Sequence, residues 1–223
     1  MHSTELSTQL SETRLDLTLD EVTARLPALV NYPSDSINEA ALNEYLDALY
    51  RLGRLRHIPN ISPQNVLYLQ NLLAHTQPKN ILEIGCANGY STLRLWQAAR
   101  EWQAQITTMD ISRPQYLEAQ HHFKICHANI DLHFGNALQI LPTLTDRFDF
   151  ILIDAQKIHT LDFFIRARKI ATPDALIVVD DVLKFKDKMT NFYDYLHAQA
   201  IAYDIVQLPD DEDGVMLIQN RAV

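Results

Sequence analysis

Glycine and cysteine are scarce in this chain: 223 residues carry five of the first and two of the second. The cysteines, Cys86 and Cys126, form neither a disulfide framework nor a CxxC metal pattern. That excludes the disulfide-stapled secreted class and points to a reducing, cytoplasmic compartment. No apolar run approaches the ~20 residues a membrane span requires. The polar start, Met1 to Thr13, lacks a signal-peptide apolar stretch, so no membrane partner is expected. Repeats and low-complexity linkers are missing too. An excess of positive charge is also absent: the net charge is −9, and no DNA partner is expected. The deficit is uneven. Residues 1–50 hold nine acids against Arg14 and Arg25, −7, whereas the remaining 17 bases and 19 acids give −2. A near-neutral larger part leaves room for a polyanionic partner.

What remains is an ordinary globular composition, 47% hydrophobic and 21% charged, long enough for one α/β domain with an N-terminal addition. The first fifteen or so residues read as frayed. Amphipathic helices follow at about Leu19–Val30 and Ile37–Arg51, the second with a capping box from Ser36 and Glu39. Ser62-Pro63 opens another helix, Ser as N-cap and Pro in the first turn, with Val66, Leu67, Leu69, Leu72 and Leu73 at helical spacing. From Asn80 strands and helices alternate. Strands are predicted near 80–84, 105–110, 130–134, 148–154 and 175–181, and two more near 202–208 and 214–219. Such units imply a parallel sheet covered by helices on both faces. The division drawn is 1–54 as a helical extension and 55–223 as the α/β domain.

Two of the five glycines fall in Ile81–Thr92, where an apolar strand reaches Glu83, turns through Gly85 and Gly89, and enters a helix. That geometry lets a ligand lie against bare backbone at the end of a parallel strand. Cys86, inside the turn, reads as a small space-filling residue. Ligands of open parallel sheets bind at the carboxyl ends of the strands, and here those ends are polar: Glu83-Ile84-Gly85, then Asp110, Gly135-Asn136-Ala137, Asp154-Ala155-Gln156-Lys157 and Asp180-Asp181. Asp110 lies 21 residues after Gly89, close to the ~20 expected of a carboxylate on ribose hydroxyls. Asp154, Asp180 and Asp181 would converge at adjacent ends. Three unpaired carboxylates repel and raise one another's pKa, a conflict that a hard, oxygen-seeking cation such as Mg²⁺ resolves. Lys157 either offsets charge there or acts as a base if its pKa is lowered.

Together with Asp180-Asp181-Val182-Leu183 and Asp213-Gly214, these motifs resemble in order and spacing the metal-dependent class I S-adenosylmethionine O-methyltransferases, over roughly residues 55–220. Catechol and caffeoyl-CoA O-methyltransferases belong there. The bacterial tRNA 5-hydroxyuridine O-methyltransferases look nearest, through Asp154-Ala155-x-Lys157, Phe163-Phe164 and Asp180-x-Val182-Leu183-x-Phe185-Lys186. The resemblance implies a Rossmann-like seven-stranded sheet whose last strand inserts antiparallel, and a homodimer. It implies S-adenosylmethionine held by Ile61, Glu83, Gly85, Ala87, Gly89, Ser91, Asp110, Gly135, Asn136, Ala137 and Asp154. Asp110 takes the ribose, Asn136 and Ala137 the adenine, and Ser91 the methionine carboxylate, while Glu83 orders the loop and the amino end. Mg²⁺, Mn²⁺ or Ca²⁺ would sit on Asp154, Asp180 and Asp181, with Asp154 and Lys157 as the catalytic pair.

Three positions depart from the family pattern. Asp181 stands where Asn is usual, Thr160 where an aromatic residue is common, and Asn136 where many relatives have Asp. Two other readings fit the strand–turn–helix. A nicotinamide-dependent dehydrogenase would need G-x-G-x-x-G where this chain has Gly85-x-Ala87-x-Gly89, and would leave the acidic strand ends idle. A non-catalytic cofactor- or RNA-binding protein would leave Lys157 and the three carboxylates unused. The acceptor reading leans to a tRNA hydroxyl over a small phenol. Basic clusters at Arg51, Arg54, Arg56 and His57 and at Lys184, Lys186 and Lys188 could hold its phosphates.

Overall fold

The computed structural model describes residues 38–209 and 211–221. The expected frayed start, the helix at 19–30 and Ser36 lie outside them. The chain divides into two units, Met1–Asn60 and Ile61–Val223.

In the first unit, α1 spans Glu39–Leu55. Its cap is Asn38, whose side-chain oxygen accepts from the backbone N–H of Ala40 at 2.9 Å and of Ala41 at 3.4 Å. The helix therefore opens on an Asn cap rather than on the Ser36 capping box. Leu42, Tyr45, Leu46, Leu49 and Leu52 form its buried stripe, at the i, i+3, i+4, i+7 spacing of one helix face.

The second unit begins with α2, Pro63–Thr76, capped as the sequence predicts: Ser62 accepts from the Asn65 N–H at 3.1 Å. A seven-stranded sheet follows, from β1 (Asn80–Ile84), β2 (Gln105–Asp110), β3 (Ile130–Phe134), β4 (Phe148–Ile153), β5 (Ala171–Val179), β6 (Asp204–Val206) and β7 (Val215–Gln219). Their order is β3-β2-β1-β4-β5-β7-β6. β7 runs antiparallel to β5 and to β6, and the β1–β5 pairings are parallel. This is the Rossmann-like order expected, with the last strand inserted antiparallel. Helices α3 (Tyr90–Ala99), α4 (Arg113–Ile125), α5 (Ala137–Ile140), α6 (Thr160–Ile170) and α7 (Thr190–Ala198) fill the crossovers. β5 starts at Ala171, four residues before the predicted start at 175. Its pairing with β4 shifts register between Phe148 and Phe150, beside Pro173, which cannot donate to the ladder, and Asp174 at φ +64°.

Side chains alternate across the sheet with period two. Leu82, Ile84, Ile151, Ile153, Ile177 and Val179 face a core with Phe163, Phe164 and Ala167 of α6 and Phe192 and Leu196 of α7. Each large apolar side chain buried there stabilises the fold by ~1.5–3 kcal/mol. The other face carries Ile81, Glu83 and Thr108, all buried. Glu83 is thus a carboxyl group placed on a core-facing position of an interior strand. None of the helices among the described residues is long and apolar enough to cross a membrane.

Candidate active site

Each strand end passes one hydrogen bond to its neighbour, and that ladder sets the site. The N–H of Gly85 donates to the Met109 carbonyl at 3.0 Å, that of Asp154 to Ile84 at 3.0 Å, that of Asp180 to Ile153 at 3.1 Å, and that of Gly135 to Asp110 at 2.9 Å. The acidic residues read from strand ends therefore lie along one edge.

Gly85 has φ +95°, and a Cβ there would overlap the Asp154 carbonyl oxygen; a Cβ on Gly89, at φ +86°, would come within 2.7 Å of the Phe123 ring. The space both glycines leave is filled by the protein itself, by Asp154 and Ala155 just past β4 and by Ala119 and Phe123 of α4. The effect of the two glycines is to bring the glycine turn against Asp154, so the turn and the carboxylate cluster adjoin.

Glu83 is fully buried. Its Oε2 accepts from the Thr92 hydroxyl and, at 2.7 Å, from that of Thr108, its register partner on β2. Burial pushes the carboxyl up to about 7; the hydroxyls of Ser91, Thr92 and Thr108 pull it back, and the charge of Asp154 adds to the rise. Ser91 acts from beside the carboxylate without bonding Oε1, which has no partner among the described residues. Asn88, also fully buried, turns its Oδ1 to the Tyr90 N–H and leaves Nδ2 unpartnered. An unused acceptor on β1 and an unused donor in the turn after it, both buried, suit the ammonium and carboxylate of an amino-acid group.

Asp110 accepts from the N–H groups of Ala87 at 2.9 Å and Ser112 at 2.7 Å. Burial nonetheless raises it above the usual carboxylate range, against the N–H groups of Ser112, Ala87 and Cys86. Each oxygen keeps a second lone pair for a ribose hydroxyl. Asn136 caps α5, its Oδ1 taken by the Leu138 N–H at 2.9 Å. The oxygen expected to face an adenine amino group is already engaged, with one lone pair left. Ala137 follows in the first turn of α5, and Ile61 is buried. Burial first, with Glu83 and Asp110, drives the Cys86 thiol well up, so it fills space and stays protonated.

Asp154, Asp180 and Asp181 offer ligand oxygens all within 4.8 Å of one another. Asp180 is 2% exposed and lies well above the usual carboxylate range through burial, then the charge of Asp154, against the pull of Lys157. Lys157 Nζ bonds Asp154 Oδ1 at 2.8 Å, Asp181 Oδ2 at 2.9 Å and the Asp180 carbonyl at 3.3 Å. Burial alone would lower that ammonium's pKa; Asp154, Asp181 and Asp180 outweigh it and hold it above the ordinary lysine value. Of the two roles read for Lys157, this arrangement displays charge offset. Asp181 has φ +61°, a conformation that Asp and Asn tolerate better than most residues. Three clustered carboxylates are an all-oxygen donor set that fits a hard divalent cation.

Asn65 escaped the sequence reading. It is 1% exposed and donates from Nδ2 to Asp180 Oδ1 and to the Asp213 carbonyl, both at 3.3 Å. Its signal was a polar residue four positions before Leu69, on an otherwise apolar helix stripe. Asp213 pairs with Lys184 at 3.2 Å. Lys184 and Lys188 lie over the Phe185 ring at 5.5 and 4.8 Å, and Lys186 over Tyr193 at 5.4 Å. In the first unit, Arg51, Arg54, Arg56 and His57 are exposed.

Residues 34–211 match the model of a family described as O-methyltransferase. Over 132 residues the chain is 33% identical to a catechol O-methyltransferase from Niastella koreensis, covering 56% of this chain and 59% of that one. Over 149 residues it is 32% identical to caffeoyl-CoA O-methyltransferase 2 of Zea mays, covering 59% and 56%. The chain thus spans about half to three-fifths of the length of the curated relatives it matches. Its fold is that of an O-methyltransferase from Bacillus cereus solved in complex with SAH, at TM-score 0.70 and 24% identity, covering 88% of this chain and 98% of the other.

Proposed function

The chain belongs to the O-methyltransferase family, and on that footing we propose that it transfers the methyl group of S-adenosylmethionine to a hydroxyl with a second oxygen beside it, at a divalent cation held by Asp154, Asp180 and Asp181. The observation that carries this is the contact of Gly85 with the Asp154 carbonyl, which sets a nucleoside-type turn beside an all-oxygen donor cluster. Glu83 Oε1 and Asn88 Nδ2 take the amino-acid end of the cofactor, the second lone pairs of Asp110 the ribose, and the first turn of α3, with Ser91, the carboxylate. Bound there, a divalent cation supplies Lewis acidity that lowers the hydroxyl pKa and aligns both acceptor oxygens. Lys157 Nζ is the group placed to take the hydroxyl proton. Its ammonium is held charged by three carboxylates here, so that role requires their charge to be met by another cation. Asn65 keeps Asp180 oriented by donating to Oδ1.

Two acceptors are compatible with this chemistry. A catechol-type phenol is supported by the Niastella relative. A 5-hydroxyuridine in tRNA is supported by the motifs Asp154-Ala155-x-Lys157 and Asp180-x-Val182-Leu183-x-Phe185-Lys186, and by the lysines that interleave with Phe185 and Tyr193. That aromatic–basic surface is suited to phosphates and a splayed base. Offering both substrates with labelled cofactor at two salt concentrations decides between them. Label in tRNA that falls steeply with salt, and further in Arg54→Glu, supports the tRNA acceptor. Label in free catechol alone supports the phenol. The resemblance also carries a homodimer and a cytoplasmic location, on which the chemistry does not depend.

A further inference from the structure

At the opposite edge of the sheet, where β4 and β5 begin and β7 ends, lies a cleft of about 660 Å³. Among the described residues Arg147, Arg168, Lys169 and Arg221 line it, and no acidic residue does. None of the four is paired with a carboxylate among the described residues, in a chain of net charge −9. We propose that this cleft is a second ligand site, separate from the methyl-transfer edge, that binds a small phosphorylated molecule.

Two of its cations, Arg147 and Arg168, are fixed rather than free-swinging. Arg147 Nη1 donates to the Lys169 carbonyl. Arg168 donates from Nε to Asn220 Oδ1 at 3.1 Å and from Nη2 to the Arg221 carbonyl at 3.4 Å, and its guanidinium lies 5.8 Å over the Phe164 ring. Asn220 is itself anchored by Nδ2 on the Thr172 carbonyl at 2.9 Å. The Arg147 bond engages one backbone oxygen in the last turn of α6, that of Lys169, where free carbonyls repel an anion. These bonds leave most of the five N–H donors of each guanidinium for a phosphate. The volume is that of a small-molecule site, and the Tyr195 ring, held edge-on against Phe164 at 6.4 Å, gives one wall an aromatic surface. The cleft's size favours a mononucleotide-sized ligand over a nucleic-acid strand.

The test titrates the full chain calorimetrically with pyrophosphate and with uridine diphosphate, in saturating S-adenosylhomocysteine so that the cofactor half of the methyl-transfer edge is filled. One site per chain is expected, with affinity falling at least about tenfold in Lys169→Glu, whose side chain is exposed and makes none of the anchoring bonds. The thermal midpoint should be unchanged. Lys124→Glu, the same charge change on an exposed residue of α4, should leave affinity unaltered. The proposal is overturned if neither probe binds, if both variants weaken binding equally, or if an oligoribonucleotide binds through Lys169 while the small phosphates do not.

Discussion

At the scale of single residues, the Glu83 carboxyl titrates near pH 7 in the fold and near 4.5 in the unfolded chain. The native state therefore binds the proton more tightly, and stability is lost as pH rises from about 4.5 through 7. Each tenfold difference in proton affinity is worth about 1.36 kcal/mol, which makes the full amplitude ~3 kcal/mol. Glu83→Gln keeps the shape and removes this titration. Denaturant unfolding of the chain alone at pH 4.5 and 7.5 should show the wild type losing about that much more stability than the variant; equal losses would show that Glu83 does not titrate in that window. Asp181→Asn should keep both fold and activity, because Asn tolerates φ +61° and its amide oxygen remains a ligand. Asp154→Ala should abolish turnover, so labelled-methyl assays of the two variants should separate completely. The acids are legible in the sequence because a strand end is visible as a break in an apolar run. Thr108 and Asn65 are not: Thr108 meets Glu83 only through the β1–β2 register, and Asn65 meets Asp180 across 115 positions.

At the scale of elements, the close approach of the chain just past β1 to the chain just past β4 depends on one missing Cβ. Gly85→Ala places a methyl group on the Asp154 backbone at φ +95°, where nothing can swing aside, and should cost more than about 2 kcal/mol. Gly89→Ala meets first the edge of the Phe123 ring, which can shift, and should cost less. Urea unfolding of both ranks them, and the reverse order would contradict this assignment of the two contacts. The start of α2 is a second such joint: Ser62 accepts from Asn65 N–H and donates to Asp211 Oδ2. Ser62→Ala should lose about 1 kcal/mol of cap energy. The Ser-Pro start is readable because both residues act locally. The start of α1 is not, because Ser36 and Asn38 are both competent caps two residues apart, and sequence does not say which side chain meets the first free N–H groups. β5 reads short for a related reason: Pro173 and Asp174 look like a turn, and only pairing of Ala171 with Phe148 extends the strand beyond them.

At the scale of the whole molecule, alternation of strands and helices makes the parallel sheet legible, since crossovers of that length leave few topologies open. The antiparallel insertion of β7 between β5 and β6 comes from the resemblance, because nothing in a five-residue apolar run states its direction. The cleft at the far sheet edge is not legible at all. Its four cations come from the entry to β4, the end of α6 and the exit from β7, and only the closed sheet brings them together. The central claim is that one edge of this sheet joins an S-adenosylmethionine turn to a divalent-cation cluster. Its most direct test is transfer of labelled methyl from S-adenosylmethionine to catechol and to tRNA, each with Mg²⁺, with a chelator, and with Mg²⁺ restored. The account predicts label in at least one acceptor that vanishes with the chelator and returns with the metal. Undiminished transfer in the chelator would contradict it.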